Sequence, residues 1–524
     1  MSRTIVLGLD GANWLLLEPW LEAGDLPNLA ALREEASWGP LTRQFPPVTS
    51  PNWRCYATGR NPAKLGVFWW EIVDREQHTI RHPTAHDFHT RPLWDELADA
   101  GQCVAVLNFP SGYPPASIKN GRFTAGGPGA KDTGFAFPPA WEHELREKYN
   151  YRVHPTDVLR GASHADARLD EILSIMQSRF DVAFDLLDDG VDFLHITIFY
   201  INTLHHFWYR GQPTRAGWQL IDRNLGRLHQ VATRDGYNLL LMSDHGCAPI
   251  DTAFLINEWL IQEGYLMANL PTMARRLARW GLNQNRAINL VRRSGIAPLL
   301  RRLIPARLKR ALPDESGTFG KEAKGEYIDW EHSLAVASGH GLIYLMLSPD
   351  HPNYEPLRDE IGTKLSALRS PITEKPIVTR VLKREEVYDG PFLNRAPDLI
   401  LEQGPGVRIS GRIGYPDVFR TPERWVAENV PEGLFLAWGP DFDSQGYVES
   451  IRILDLAPTI LHVMDVPIPD DVDGRVLSEL LAPDSEAARR PVTFRPAETQ
   501  TDAAYTAKDE AEIATRLTSL GYLD

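Results

Sequence analysis

The run Thr4-Ile5-Val6-Leu7-Gly8-Leu9 carries no charge, is rich in β-branched residues and ends at Asp10-Gly11-Ala12. Such a run reads as a strand buried on both faces. Cys103–Asn108, Asp192–Tyr200 and Asn238–Ser243 repeat the pattern. Between them lie stretches with helical spacing: Pro92–Ala100, residues 216–234, and Ala165–Asp189, whose Ile172, Ile175, Phe180, Ala183 and Leu187 make an apolar stripe. Strands alternating with helices predict a mostly parallel central sheet flanked by helices, an α/β fold. Trp14–Ala36 reads as helix broken near Gly24 and Pro27, and Pro139–Tyr149 as another helix. The Pro- and Gly-rich stretch 109–139 predicts a long ordered loop or lid.

Beyond residue 262 the rhythm changes. Residues 271–312 hold eleven Arg or Lys and no acid, interspersed with Leu, Ile, Val and Trp, which suggests short amphipathic helices. Residues 333–401 read as a smaller α/β unit, with strands at Leu342–Leu347, near 376–382 and near 398–401, and a helix near 355–368. Gly433–Gly439 returns to the main sheet, Asp455-Leu456-Ala457 opens a helix, and Asp509–Leu520 is a final helix. The expected organisation is a core from 1–262 and 426–524, interrupted by an inserted cap subdomain at 263–425.

Chemistry concentrates at the ends of the apolar runs. Carboxylates at the carboxyl end of a buried parallel strand lie at the ligand edge of an α/β sheet, which places Asp10 and Asp244-His245 there. Phe45-Pro46-Pro47-Val48-Thr49-Ser50-Pro51 ends in a hydroxyl pair before a proline that opens a helix through Ala57. A hydroxyl at such a position faces unpaired backbone N–H groups and the positive helix end. Thr49, Asp10, Asp244 and His245 are therefore expected to meet around a metal, which would polarise the hydroxyl as a nucleophile.

Composition narrows the setting. A chain of 524 residues with net charge −14 is expected to bind no nucleic acid as a class. Cys55, Cys103 and Cys247 show neither metal spacing nor a disulfide framework. The chain runs into its first strand without a basic leader or a long apolar stretch, so the expected location is cytoplasmic. The basic segment 271–312 reads as a solvated cap surface or as a contact for an anionic partner, such as a phospholipid membrane surface or a large phosphorylated substrate. Nothing in the composition sets the oligomeric state.

Several motifs stand in a fixed order: Asp10-Gly11, Leu26-Pro27-Asn28-Leu29, Pro46-Pro47-Val48-Thr49, Thr58-Gly59-Arg60-Asn61-Pro62, Ser243-Asp244-His245-Gly246 and Asp455-Leu456-Ala457-Pro458-Thr459. Asp473-Gly474-Arg475-Val476-Leu477 follows them. As an ordered set they resemble a type I phosphodiesterase/nucleotide pyrophosphatase-like member of the alkaline phosphatase superfamily. The resemblance implies an alkaline-phosphatase-like core, a small phosphorylated substrate and two metal sites, usually zinc. Asp10, Thr49, Asp244 and His245 match the site that activates the nucleophile. For the other site the resemblance points to His206, with Asn202 where an Asp is expected and Asn429 where a His is expected. Neutral amides bind zinc poorly and suit a harder ion, so one tightly bound divalent ion, zinc, and an uncertain second ion are expected. The phosphate-contacting Asn of the family is missing near Leu65-Gly66 and Trp69-Trp70, and Arg54 is a candidate replacement beside a structural role. His205 and Trp70 are candidate substrate contacts, and His340 a candidate cleft residue. Trp69, Trp208 and Tyr209 could line a pocket. His195 reads as a satisfied core histidine. The implied function is a metal-dependent hydrolase or transferase acting on a phosphate ester or diester through a covalent phospho-threonine at Thr49. The alternatives are a one-metal enzyme transferring to an acceptor other than water, and a non-catalytic anion-binding relative.

Overall fold

A computed structural model describes residues 2–156, 165–269, 324–422 and 424–498. The basic segment 271–312 and the expected helix Asp509–Leu520 lie outside the described residues.

A ten-stranded sheet forms the centre. Its order runs Gly446–Tyr447, Ser37–Thr42, Glu432–Trp438, Tyr237–Met242, Arg3–Leu9, Phe193–Ile198, Val104–Pro110, Gly121–Gly126, Ala136–Phe137, with Ile451–Arg452 also pairing with Ser37–Thr42. The apolar runs are its middle. Val6 lies opposite His195 on one side and Leu240 on the other, both in parallel register. Every residue of Tyr237–Met242, Phe193–Ile198 and Val104–Pro110 is buried, as strands covered on both faces require. Glu432–Trp438 runs antiparallel to its two neighbours. Helices Ala165–Asp188 and Gln212–Asp235 cover this core, close to their expected bounds.

Three strands depart from expectation. Ser37–Thr42 (Ser-Trp-Gly-Pro-Leu-Thr) has little intrinsic strand preference, yet it is paired along its length by Glu432–Trp438. Gly39 fits there because a Cβ would stand 1.9 Å from the Val448 carbonyl oxygen. The expected loop 109–139 in fact contributes Gly121–Gly126 and Ala136–Phe137 to the sheet. Its glycines are packing devices: a Cβ on Gly121 would meet Ile118 at 2.5 Å and Val104 at 2.8 Å.

A four-stranded antiparallel sheet forms the small unit, in the order Ala335–Ser338, Leu342–Leu345, Leu399–Gln403, Val378–Lys383, with helix Tyr354–Ala367. It shares a second hydrophobic core with Phe254, Ile256 and Leu260. Thr252–Leu255 pairs with Val407–Ser410 and Phe419–Arg420, and Gly246–Pro249 pairs with Ala427–Val430.

The ordered motifs act as joints. Asp222 accepts from the Leu29 amide at 2.8 Å and from the Asn28 side chain at 2.8 Å, fixing the start of helix Pro27–Glu34. Asp473 accepts from the Asn61 amide at 2.8 Å and from Lys64 at 2.6 Å. These bonds hold the helix Thr49–Thr58 and its exit against the carboxyl edge of the sheet.

Candidate metal centre and nucleophile

Three parallel strands deliver the site. Asp10 follows Arg3–Leu9, Asp244-His245 follow Tyr237–Met242, and helix Tyr200–Trp208 starts just after Phe193–Ile198 with Asn202, His205 and His206 on it. Asp10, Asp244 and His245 offer ligand atoms that all lie within 4.8 Å of one another, and all three are fully buried. His245 Nε2 is 3.2 Å from Asp244 Oδ2, 3.8 Å from Asp10 Oδ1 and 3.3 Å from Thr49 Oγ1.

Helix Thr49–Thr58 explains the position of the hydroxyl. Ser50 departs from helical geometry (φ −101, ψ 119), so the regular turn begins at Pro51 and Thr49 stands just ahead of it. Asn52, inside the helix, reaches back to donate to Pro46 O at 2.8 Å and Val48 O at 2.9 Å, and it accepts from the Gln44 amide at 2.9 Å. It thereby fixes the loop that carries Thr49. Trp53 donates from Nε1 to Asp10 Oδ2 at 3.0 Å. The Gly11 amide donates to Asp244 Oδ1 at 3.3 Å. Gly11 is required: its φ is +69, and a Cβ would stand 2.2 Å from Asn202 Oδ1. Neither Asn52 nor Trp53 is a functional residue by sequence reasoning; the only available signal is their place one turn after the hydroxyl.

The donor set suits a divalent cation. Asp10 Oδ1 and Asp244 Oδ2 are buried without a hydrogen-bond donor among the described residues. Burial raises the proton affinity of both carboxyls, and their mutual repulsion adds to it at Asp244. His245 Nδ1 donates to Gly246 O at 2.9 Å, so the Nε2 lone pair points at the carboxylates. Burial pushes this imidazole down to about 3, so it is neutral at pH 7. Two buried carboxylates and an imidazole lone pair converging on one point leave a charge deficit that a dication answers.

The family profile of type I phosphodiesterase / nucleotide pyrophosphatase matches residues 4–428. The chain belongs to that family. No curated protein matches in sequence. In fold, the chain is similar to phosphonoacetate hydrolase from Sinorhizobium meliloti 1021 in complex with phosphonoformate, with 16% identity, 87% of this chain and 94% of that chain covered and a TM-score of 0.53. It is similar also to murine ectonucleotide pyrophosphatase/phosphodiesterase 5 (13%, 92% and 100%, TM-score 0.50) and to an inactive threonine-to-alanine form of that protein in complex with AMP (13%, 92% and 100%, TM-score 0.51).

Within this phosphodiesterase family member, the expected second metal site is built differently from its sequence reading. His206 is in place: Nδ1 donates to Ala427 O at 2.8 Å, leaving the Nε2 lone pair, and the ring stacks on Trp425 at 3.8 Å. Asn202, expected as a weak ligand there, turns its amide toward Asp10 and favours that carboxylate's charged form. Asn429 lies opposite Cys247 in the Gly246–Pro249 pairing, and its Oδ1 is buried without a donor among the described residues. Sequence reasoning missed Glu428, whose carboxylate lies near His206. This carboxylate is 3% exposed and lies 3.3 Å from His340 Nε2 and 3.0 Å from Arg408 Nε. It also accepts from Trp425 Nε1 at 3.1 Å and from the Asn429 amide at 2.9 Å. His340 and Arg408 hold Glu428 well below the usual carboxylate range, although burial alone would raise it. Each Glu428 oxygen already receives two donors.

Three candidate substrate contacts have partners within the fold, and His205 also lies against Gly11 and His245 at the metal centre. Arg54 donates from Nη2 to Ser111 O at 2.7 Å and packs over Phe88 and Phe109, so it braces a loop. His205 accepts from Trp218 Nε1 at 3.0 Å and stacks parallel to that indole. Trp70 is 2% exposed in the main core, whereas Trp69 lies 4.7 Å from His340. All three candidates are buried. His195 is a satisfied core histidine, bonded to Tyr56 OH at 3.1 Å and Thr197 Oγ1 at 2.8 Å.

Proposed function

We propose that the chain cleaves a phosphate ester or diester with Thr49 as nucleophile and a single tightly held zinc ion at Asp10, Asp244 and His245. The observation that carries this reading is the placement of the Thr49 hydroxyl, 3.3 Å from His245 Nε2, beside two buried carboxylates. A zinc ion bound there would supply Lewis-acid stabilisation of the alkoxide. Thr49 Oγ1, its proton given up to solvent, would form a bond to phosphorus as the ester oxygen departs with the bond's electron pair and takes up a proton from solvent. A second attack, by water or another acceptor, breaks the Thr49–phosphorus bond and restores the hydroxyl. Asn52 and the start of the helix at Pro51 hold Thr49 at the attack position, and Trp53 keeps Asp10 oriented and favours its charged form. The inactive threonine-to-alanine form of the murine relative is in keeping with a threonine nucleophile.

A second reading has its own support. The amides of Asn202 and Asn429 and the occupied oxygens of Glu428 leave His206 with little to bind a second dication. That favours a one-metal enzyme whose acceptor need not be water. The test is the Thr49→Ala variant, assayed on p-nitrophenyl mono- and diesters beside metal analysis. The proposal requires turnover to vanish while metal content stays; retained turnover refutes it.

A further inference from the structure

Gly11 makes the turn between Asp10 and helix Trp14–Glu22. Its φ of +69 suits glycine, which is equally at ease in other conformations. The turn therefore depends on the bonds its peptide groups make. On one side the Gly11 amide donates to Asp244 Oδ1 at 3.3 Å. On the other side stands His205.

His205 and Asn202 lie three residues apart on helix Tyr200–Trp208 and so share a face. That face meets the turn. A Cβ on Gly11 would stand 2.2 Å from Asn202 Oδ1, and His205 lies against the Gly11 backbone. Trp218 distinguishes the two ring nitrogens of His205. An indole N–H can only donate, and Trp218 Nε1 gives its proton to His205 Nε2 at 3.0 Å. Nε2 is then an acceptor, so the proton of the neutral ring sits on Nδ1. Nδ1 is sealed from solvent, and the Gly11 carbonyl is the acceptor it meets. Trp218 is itself 1% exposed on helix Gln212–Asp235, and its ring plane lies 10° from that of the imidazole. The indole thus fixes both the ring plane and the nitrogen that carries the proton.

We propose that His205 is a positioning residue for the metal centre, donating from Nδ1 to the Gly11 carbonyl and so holding the turn that aims Asp10 and bonds Asp244. The inference rests on the reading of Asp10, Asp244 and His245 as a metal site. His205 acts through the backbone: Nε2 is taken by Trp218 and Nδ1 by Gly11, which leaves no lone pair for a metal. Outer partners of this kind tune the affinity of the ligands they hold.

Two amides separate the roles of the nitrogens. In His205→Asn the amide nitrogen stands where Nδ1 stood and can donate to Gly11, but nothing accepts from Trp218. In His205→Gln the amide reaches the place of Nε2 and can accept from Trp218, but nothing donates to Gly11. Zinc affinity of the purified full chain is read by competition with a chelating dye. Hydrogen–deuterium exchange of the segment around Gly11 is read on the zinc-free chain, and fold stability by urea titration. His205→Gln should bind zinc about five- to tenfold more weakly than the wild type and exchange faster around Gly11. His205→Asn should stay within about twofold of the wild type in both and lose stability instead. A packing role alone gives one order in all three measurements, with the smaller Asn the worse. That order, or equal zinc affinity in the two variants, overturns the inference. If His205→Asn does not fold, nitrogen-15 NMR of the histidine-labelled wild type decides: a proton on Nδ1 supports the inference and a proton on Nε2 overturns it. Absence of zinc binding by the wild type, with exchange around Gly11 responding as expected, counts against the metal centre and not against the role of His205.

Discussion

Trp53→Phe isolates the support of the metal centre. It deletes the Nε1 hydrogen bond to Asp10 Oδ2 and keeps a ring against Tyr56 and Phe109. The indole end lies over Gly8, where a Cβ would come within 2.5 Å of Trp53 Cη2, so the smaller ring leaves a void and costs fold stability about 2 kcal/mol. The larger consequence is electrostatic. A hydrogen bond to a charged acceptor is worth about 1.5–3 kcal/mol, and one pKa unit is about 1.4 kcal/mol. Asp10, already raised by burial, should rise by about a further unit. A proton then competes better for the carboxylate, so metal loading requires higher pH. The expected outcome is a loading midpoint about one pH unit higher and an affinity at neutral pH about five- to tenfold weaker. Competition against a chelating dye across the neutral range, with elemental analysis of the dialysed protein, reads both. Unchanged loading at every pH would show that Trp53 does not support Asp10.

Thr49→Ala should lower turnover at least about a thousandfold while changing unfolding stability by about 1 kcal/mol; denaturant titration beside kinetics checks both. His195, His206 and His245 sit near 3, 4 and 3, depressed by burial. Groups depressed in the fold take protons on unfolding, so their stabilisation is complete above about pH 6.5 and falls as acid is added, by about 2 kcal/mol per histidine at pH 5; the raised carboxyls of Asp10, Asp95 and Asp244 gain stability over the same range, so the stability difference between the wild type and His195→Gln isolates the effect, and a difference that does not shrink between pH 7.5 and pH 5 would contradict this. Elemental analysis should find about one tightly held dication per chain, and two in the substrate-free protein would contradict the second-site assignment. Asn202→Asp with Asn429→His should raise second-ion occupancy, since a carboxylate placed against Asp10 needs another cation, and unchanged metal content would count against it. If residues 271–312 meet an anionic surface, binding to anionic vesicles should exceed binding to neutral ones and fall with salt.

Much of this architecture is legible in the chain. Runs such as Thr4–Leu9 and Asn238–Ser243 announce themselves because strands buried on both faces must be apolar throughout. Their carboxyl ends expose Asp10, Asp244 and His245 to inspection, and Pro51 exposes Thr49. Ser37–Thr42 and Gly121–Gly126 are hidden because neighbouring strands, not local preference, hold them extended. Trp53 and Asn52 are hidden because their roles depend on partners that only folding brings near. Glu428 beside Asn429 is hidden for the same reason: its meaning comes from Arg408 and His340. The packing partners of Arg54, His205 and Trp70 come likewise from distant segments.

The central claim is that Thr49 is covalently phosphorylated or phosphodiesterified during turnover. The direct measurement is rapid acid quench with a slowly released p-nitrophenyl diester, followed by peptide mass spectrometry of the segment carrying Thr49. The account predicts a phosphoryl adduct on Thr49 that forms with the p-nitrophenol burst and decays with turnover. Steady turnover with no adduct on Thr49, or an adduct on another side chain, would contradict it.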